Sequence, residues 1–476
     1  DGWNAIDNSF YFPKQRIADS TRYKQWKPKE QYFVSLGYGY TFKKINVGFK
    51  SAYFDEKITN RGYPRAPYAE SSFDDYYYTK RFDNHVYLNG KIARNWTINS
   101  LIAYNYYNRV KKTVYKDLTT LKETLSLNSS DQDTSSFTLL MSRASFIHKI
   151  DSAKLSYEVG YDVNYESAFG KRINNQLQYM GDYAGFVTIE YKPFEKVVLK
   201  PGIRYAYNTT YNTPVIPSLN AKWTLNEHHT IRASYARGFR APSLKELYFM
   251  FVDINHNIVG NMNLRSEQSD NYSLSYNYRR TIKNCRLKID VNTFYNDIYH
   301  LITLAQTTST EYSYINIGKY KTLGVQLNNT LRFKKVSFQT GFNYTGRYNE
   351  LSESVSVPEF NFSPEVLENI SYRFIKQKTS ISLFYKYNGK LPGYILVGDQ
   401  IQQTSLSDYH TMDATVSKLF FKERFGISIG CKNIFNVTNI NSTAVSGGTH
   451  SSSTSSVPLS TGRNYFIKLT LSFSKE

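Results

Sequence analysis

The chain has 476 residues, a formal net charge of +20 and a mean hydropathy of −0.51. No stretch approaches the ~20 consecutive apolar residues that a membrane-spanning helix needs, and two cysteines, Cys285 and Cys431, exclude a disulfide framework. The basic charge suggests an anionic partner, which could be nucleic acid, anionic lipid or an acidic ligand. Aromatic residues make up 16% of the chain, with 43 Tyr and 30 Phe, which is high for a soluble globular protein.

Strand-like alternation begins at Tyr32 after a polar segment and continues to the end of the chain. Short turns and long polar segments alternate between about twenty strand-like runs of about 10 to 15 residues. The short turns lie near residues 43–44, 93–95, 149–154, 193–196, 226–229, 280–284, 334–335, 376–378 and 422–424. The long segments lie near residues 56–76, 109–134, 167–181, 240–267, 301–312, 349–363, 389–408 and 437–461.

The runs separate apolar from polar residues by alternate position. In residues 155–166, the odd positions carry Leu, Val and Tyr, and the even positions are mostly polar or charged. Such sets point to opposite faces of a sheet. A soluble sandwich is one interpretation, but its strands usually have ~5–6 residues. A transmembrane barrel instead needs strands of ~9–11 residues, short turns at one end and long loops at the other. We therefore predict an all-β, large antiparallel transmembrane β-barrel.

Residues 237–271 form an unusual stretch between two such runs. We expect a non-strand insert here of roughly 28 residues, and inserts that long usually carry function. It contains an Arg-Ala-Pro breaker, a helix-compatible run at residues 244–251, a lone His256 and a Gly-Asn turn.

Two motifs in this stretch resemble those of TonB-dependent outer-membrane receptors. Residues 238–247 (GFRAPSLKEL) resemble the FRAP box of that family, and residues 260–274 (GNMNLRSEQSDNYSL) resemble its NPNL box. Met262 replaces the usual Pro of the NPNL box, and Arg265-Ser266 replaces Lys-Pro. The matching motif positions are Phe239, Arg240, Ala241, Pro242, Gly260, Asn261, Asn263, Leu264 and Glu267.

Two further motifs lie near the C-terminus. Residues 431–436 (CKNIFN) resemble the family's Asn-Leu-Phe-Asn motif through Asn433 and Phe435. Residues 462–473 (GRNYFIKLTLSF) are similar to its last strand, which ends on an aromatic residue, here Phe473. Three residues, 474–476, follow that aromatic residue, where many relatives end on it.

The resemblance implies a fold, a location and partners. Family members have a barrel of 22 strands behind an N-terminal plug domain, so residues 1–476 are expected to be the barrel, with about 20 of those strands. The plug, the TonB box and the first hairpin are expected to be missing from this chain. The expected location is the outer membrane of a Gram-negative bacterium. Expected partners are the TonB–ExbB–ExbD complex, outer-membrane lipid and lipopolysaccharide, and a surface lipoprotein or haem carrier.

The transported ligand is the most open question. Haem receptors of the family carry a His between the two boxes, where this chain has His256, and a neutral imidazole is a good axial ligand for haem iron. Tyr248 and Phe249 are candidates for stacking on the porphyrin. Because a lone loop His is more often solvated, and because both boxes occur across the family, a corrinoid such as vitamin B12 and a ferric siderophore remain alternatives. No intrinsic cofactor is expected.

Three other classes of protein fit less well. An enzyme is not expected, because the sequence has no GxSxG elbow and no HExxH motif. A passive porin would share the polar lumen but would lack the receptor-like motifs. A nucleic-acid binder is not expected, since Lys and Arg are spread through turns and alternating positions instead of forming one stripe.

Overall fold

A computed structural model describes residues 22–24, 27–150, 154–253, 256–306, 312–349, 352, 356–397, 400–421, 423–443 and 456–472. Nearly all of them lie in antiparallel strands. The described part of the chain has no helix that is both long enough and apolar enough to cross a membrane.

The elements are numbered in chain order. The strands are β1 (Lys29–Phe42), β2 (Ile45–Arg61), β3 (Ser71–Ala93), β4 (Trp96–Asp117), β5 (Glu123–Leu125), β6 (Asp133–His148), β7 (Leu155–Gly170), β8 (Leu177–Phe194), β9 (Val197–Asn208), β10 (Ile216–Thr224), β11 (His229–Arg240), β12 (Met250–Asp253), β13 (His256–Val259), β14 (Glu267–Ile282), β15 (Cys285–Gln306), β16 (Tyr312–Phe333), β17 (Val336–Tyr348), β18 (Phe360–Phe374), β19 (Thr379–Asn388), β20 (Leu391–Val397), β21 (Gln400–Leu406), β22 (Tyr409–Phe420), β23 (Phe425–Lys432), β24 (Asn439–Asn441), β25 (Ser456–Pro458) and β26 (Asn464–Leu471). The helices are a 3-10 turn (Ser129–Asp131) and α1 (Leu244–Tyr248).

Nineteen of these strands form one antiparallel meander. In order, they are β1, β2, β3, β4, β6, β7, β8, β9, β10, β11, β14, β15, β16, β17, β18, β19, β22, β23 and β26. β5, β12 and β13 complete the 22-stranded sheet, and β20–β21 and β24–β25 are separate hairpins. The meander confirms the large antiparallel architecture, with nineteen long strands where the sequence indicated about twenty. Within the described residues, no pairing joins its two edge strands, β1 and β26.

Several strands are longer than the sequence pattern indicated. β3 has 23 residues and β4, β15 and β16 have 22 each, so strand pairing runs through much of the segments 109–134 and 301–312 that were expected to be loops. Apolar alternation reports only the part of a strand whose outer face meets lipid. Above that level both faces meet water, so the pattern fades while the backbone ladder continues.

The apolar face of each strand is the exposed one. On β7, Leu155 is 51% and Val159 is 44% exposed. The opposite face carries ion pairs that reach across β8 from β9 to β7: Arg204 contacts Asp162 at 3.3 Å and Lys200 contacts Glu158 at 3.7 Å. A sandwich would bury the apolar face. The arrangement therefore matches a barrel with a lipid-facing exterior and a polar lumen.

The connections differ between the two ends of the meander. Nine short turns form what we call the turn end: residues 43–44, 94–95, 149–154, 195–196, 225–228, 283–284, 334–335, 375–378 and 421–424. Nine longer connections form the loop end: residues 62–70, 118–132, 171–176, 209–215, 241–266, 307–311, 349–359, 389–408 and 433–463. In bacterial barrels the short turns face the periplasm and the longer loops face outward.

Candidate functional site

The insert between β11 and β14 is shorter and more ordered than the sequence suggested. β11 continues to Arg240 and β14 begins at Glu267, so the insert covers residues 241–266 and contains α1, β12 and β13. The expectation of a non-strand insert was therefore wrong for the β12–β13 hairpin. The helix is only five residues long because it relies on local capping, and the rest of the helix-compatible run extends into β12.

A capping box defines the start of α1. The Glu246 amide donates to the Ser243 hydroxyl oxygen at 3.3 Å, and the Ser243 amide donates to the Glu246 carboxylate at 2.7 Å. These two bonds satisfy amide groups that would otherwise lack partners at a helix start. The sequence Ser-Leu-Lys-Glu of the FRAP-like motif thus encodes one helical turn.

An apolar cluster holds the insert against the barrel wall. Leu244 and Leu247 of α1 and Leu264 of the NPNL-like motif are buried, and Pro242 is fully buried. Their partners are Ala168 of β7, Met180 of β8, Ile173 between them and Ile302 of β15. Ala168 shares the polar, inner face of β7 with Glu166. The insert therefore folds inward and packs on the lumen side of the wall.

Arg240 joins the two family motifs. It is paired with Glu267 across the β11–β14 ladder. Its guanidinium donates to the Glu267 carboxylate at 2.6 Å and to the Glu246 carboxylate at 2.9 Å. Glu267 also accepts the Ile302 amide at 2.7 Å. Burial alone would raise the pKa of Glu246, but hydrogen bonds from Arg240 and Ser243 hold it below its usual range.

The Gly-Asn pair closes the insert. The Gly260 amide donates to the Phe249 carbonyl at 2.7 Å, and a Cβ at Gly260 would lie 2.7 Å from the Leu247 backbone. The Asn261 side chain donates to the Tyr314 carbonyl at 2.9 Å and accepts the Asn263 amide at 2.9 Å. Only glycine permits this close approach of two backbones.

The insert is also hydrogen-bonded to neighbouring segments on both of its sides. The Asn174 amide donates to the Tyr248 carbonyl at 2.9 Å, and the Met250 amide donates to the Arg172 carbonyl at 2.7 Å. On the other side β13 pairs in parallel with β16, and the Ser313 hydroxyl donates to the Val259 carbonyl at 2.8 Å. Residues 241–266 thus form a platform supported at several points, which we call the insert platform.

A cavity of about 350 Å³ lies beside the insert platform. Lys245 and Phe249 of the insert contribute to its lining, and the Arg109 guanidinium lies 4.7 Å from the centre of the Tyr77 ring. Arg172 contacts Asp133 at 3.3 Å. The lining combines four cations, one carboxylate and four aromatic rings. The complete lining is Tyr77, Tyr107, Arg109, Lys111, Asp133, Ser135, Phe137, Arg172, Lys245 and Phe249.

Sequence reasoning missed most of this cavity. Tyr107, Arg109 and Lys111 alternate along β4, so they share one face, and that mixture of aromatic and basic residues was a usable signal. It was overlooked because residues 109–134 were interpreted as a loop. Arg172 and Lys245 reach the cavity from two separate loops. Spacing in the sequence does not show that these two loops lie next to each other in the fold.

The predicted ligand-binding residues have different surroundings. Phe249 lines the cavity, and the Lys245 amine lies 5.9 Å from its ring centre. Tyr248 packs, partly buried, against the apolar cluster. The His256 backbone begins β13, opposite Asp253 at the tip of the β12–β13 hairpin, but its side chain lies outside the described residues. In the described part of the chain, no group of three or more His, Cys, Asp or Glu residues could hold a metal ion.

The C-terminal motif ends β23. Asn433 has a left-handed φ of 51°, which Asn tolerates better than most residues. Its side chain donates to the Val437 carbonyl and to the Ser460 hydroxyl, both at 2.9 Å, and its amide donates to Asp413 at 2.8 Å. Phe435 is half exposed. Phe473 lies outside the described residues.

A model of the family described as TonB dependent receptor-like, beta-barrel matches residues 2–434. The chain belongs to this family.

Solved receptors share its fold. The FrpB iron transporter of Neisseria meningitidis (F5-1 variant) aligns with a TM-score of 0.64 at 13% identity, over 93% of this chain and 72% of its own. A ferric enterobactin receptor (PfeA) of Pseudomonas aeruginosa aligns with a TM-score of 0.61 at 13% identity, over 94% and 81%.

Sequence relatives of this TonB-dependent receptor barrel cover shorter stretches. Heme/hemopexin utilization protein C of Haemophilus influenzae is 25% identical over 191 residues, which is 34% of this chain and 27% of that protein. The ferric enterobactin receptor PirA of Pseudomonas aeruginosa is 34% identical over 105 residues, which is 19% of this chain and 14% of that protein. The alignments thus span about a quarter or less of these relatives. The first is named as a utilization protein and the second as a receptor, and the chain is an outer-membrane barrel of this family.

Proposed function

We propose that this receptor captures an iron-bearing ligand at the loop end and imports it to the periplasm, with haem as the first candidate. The observation that carries the proposal is the basic, aromatic cavity beside the insert platform. Energy would come from the TonB–ExbB–ExbD complex, acting through a plug domain as in the family. A surface lipoprotein or haem carrier would deliver the ligand. No covalent step is needed.

The cavity has the chemistry that haem requires. Arg109, Lys111 and Lys245 offer cations for the two propionates, and Arg supplies paired donors suited to a carboxylate. Phe249 and Tyr77 offer ring faces for the porphyrin. His256 is the first residue of β13, within the insert platform beside the cavity. It is the proposed axial ligand to the iron.

The second candidate ligand is a ferric siderophore, and a corrinoid such as vitamin B12 is the third. Catecholate groups are anionic and aromatic when they bind iron, so the same cations and rings would suit them. Relatives named for haem use and for ferric enterobactin both match this chain. A corrinoid carries less negative charge and would gain less from the cavity.

The test is a titration of haemin into the intact receptor in detergent, following the Soret band. We expect a saturable red shift for the wild type and a weaker one for His256→Ala, because loss of an axial imidazole changes the iron ligand field. His228→Ala, at the turn end, is the matched control and should titrate like the wild type.

Absence of a saturable shift in the wild type would refute the haem assignment. The same preparation would then be titrated with a ferric catecholate and with cyanocobalamin, using quenching of intrinsic fluorescence. Saturable binding of either would identify the ligand class. If the Soret shift of His256→Ala were identical to that of the wild type, haem would still be the assigned ligand, but His256 would not be its axial ligand.

A further inference from the structure

Basic residues are much denser in the turns of the turn end than in the connections of the loop end. The nine turns contain 28 residues, with thirteen Lys or Arg and four Asp or Glu. This gives a net excess of nine positive charges. The nine connections of the loop end contain eight basic and eleven acidic residues, a net charge of −3. The described basic residues of these turns lie at the end opposite to the insert platform. We call them the turn-end ring: Lys43, Lys44, Arg94, Lys149, Lys154, Lys196, Lys283, Lys334, Lys335, Lys376, Lys378 and Arg424.

The backbone of several turns would favour another residue. Lys43, Lys283, Lys334 and Lys378 have φ values of 53°, 48°, 50° and 48°. Hairpin turns with such angles prefer Asn and Gly, because a Cβ is strained in the left-handed region. Lysine at these positions adds strain that Gly would not. We attribute its presence to the charge.

Aromatic side chains lie directly beside the turn-end ring. Phe194 is 72% exposed and Phe421 is 78% exposed. The Lys43 amine lies 5.3 Å from the centre of the Phe42 ring, and the Lys334 amine lies 5.3 Å from that of Phe333. Aromatic belts of outer-membrane barrels mark the level where acyl chains meet headgroups. The ammonium groups are thus at headgroup height.

Few of these charges are neutralised within the protein. Lys378 contacts Glu423 at 3.5 Å. Lys43, Lys283 and Lys334 form no salt bridge with another described residue. A ring of unneutralised cations beside an aromatic belt matches a surface of phosphate groups. We propose that the turn-end ring binds the phosphodiester headgroups of anionic phospholipids in the periplasmic leaflet, and so fixes the depth of the barrel in the membrane.

The test compares lipid selection by matched variants of the intact receptor. The receptor is placed in nanodiscs of phosphatidylcholine with some phosphatidylglycerol, and the lipids retained on mild delipidation are counted by native mass spectrometry. We expect the wild type to retain phosphatidylglycerol preferentially. The triple variant Lys43→Gln, Lys283→Gln, Lys334→Gln should show roughly a twofold or greater loss of that preference, because each cation near an anionic surface adds attraction.

Two controls make the result specific. The loop-end triple variant Lys122→Gln, Lys171→Gln, Lys390→Gln removes the same number of charges and should behave like the wild type. The turn-end triple Lys→Arg variant keeps the charge and should also retain the preference.

No preference in the wild type, or an unchanged one in the turn-end Gln variant, would overturn the proposal. Saturable binding of poly-glutamate to the turn end without lipid preference would instead assign the ring to an acidic protein. Haemin titration of the same variants keeps this outcome separate from that of the proposed function.

Discussion

The two ends of the barrel differ in how their connections are ordered and in their charge. At the loop end, the insert platform gains its order from an apolar cluster, a shared arginine and a close backbone contact at Gly260. At the turn end, two-residue connections carry lysine in left-handed conformations and a net positive charge. The comparison teaches that the net charge of +20 does not mark the ligand site. The loop end is slightly acidic overall, and two of its eight basic residues, Arg172 and Lys245, line the cavity beside the insert platform.

The largest expected effect is loss of packing at the loop end. Leu264→Ala should lower the free energy of opening of residues 241–266 by about 2–5 kcal/mol, because it leaves a cavity in the apolar cluster. Leu127, a fully exposed loop-end leucine, is the matched control, and its change to Ala should have an effect within about 0.5 kcal/mol. Hydrogen exchange of the insert measures both. Equal effects would show that the insert is not a packed platform.

Gly260→Ala tests the close backbone contact. A Cβ there would lie 2.7 Å from the Leu247 backbone, so the chain must shift, at a cost of about 1–3 kcal/mol. Gly318 of β16 has no heavy atom within 4 Å of an added Cβ and supplies the control. Limited proteolysis should cut the insert faster in Gly260→Ala than in Gly318→Ala. Equal rates would contradict the geometry.

Arg240→Met tests the link between the FRAP-like and NPNL-like motifs. The change leaves two largely buried carboxylates, Glu246 and Glu267, without their guanidinium. The expected loss is about 1–2 kcal/mol in opening free energy, less than for a fully buried pair because Arg240 is 44% exposed. Arg265→Met is the control, since the described hydrogen bonds of Arg265 come from its backbone. Equal hydrogen-exchange protection of the insert in both variants would show that Arg240 does not link the two motifs.

The smallest expected effect is a dependence on pH. The pKa of Glu246 lies below its usual value of 4.5 in the folded insert, because hydrogen bonds from Arg240 and Ser243 outweigh the effect of burial. Its contribution to stability is therefore complete above that usual value and is lost as pH falls through the folded pKa. Exchange rates, corrected for intrinsic pH dependence, should show this loss in the wild type. A wild type as pH-independent as Glu246→Gln would contradict it.

Much of the fold was predictable from the sequence because one physical rule repeats. Because lipid lies outside the barrel and water inside it, apolar and polar residues alternate along every strand. The barrel, the nine turns and the order of short and long connections can be read from this pattern. Strand ends were less predictable. β4 and β15 continue beyond the lipid, where the alternation weakens although the hydrogen-bonded ladder does not.

The candidate site was only partly predictable. The FRAP-like and NPNL-like motifs located the insert, and the link between Arg240 and Glu267 explains why the two motifs occur together. The cavity was not predicted, because Arg172 and Lys245 reach it from separate loops that meet only in the folded chain. The β12–β13 hairpin was missed since its two strands have four residues each, too few to show a period.

The most direct test of the account is the affinity of the loop-end cavity for an anionic iron ligand. The dissociation constants of haemin and of a ferric catecholate would be measured for the wild type, Lys245→Gln, and Lys112→Gln as control. Lys112 lies on β4 beside Lys111 but on the other face. We predict that whichever probe binds does so roughly tenfold more weakly to Lys245→Gln, as expected for loss of one close charge pair, and unchanged to Lys112→Gln. Equal affinities in all three proteins would contradict the assignment of this cavity as the ligand site.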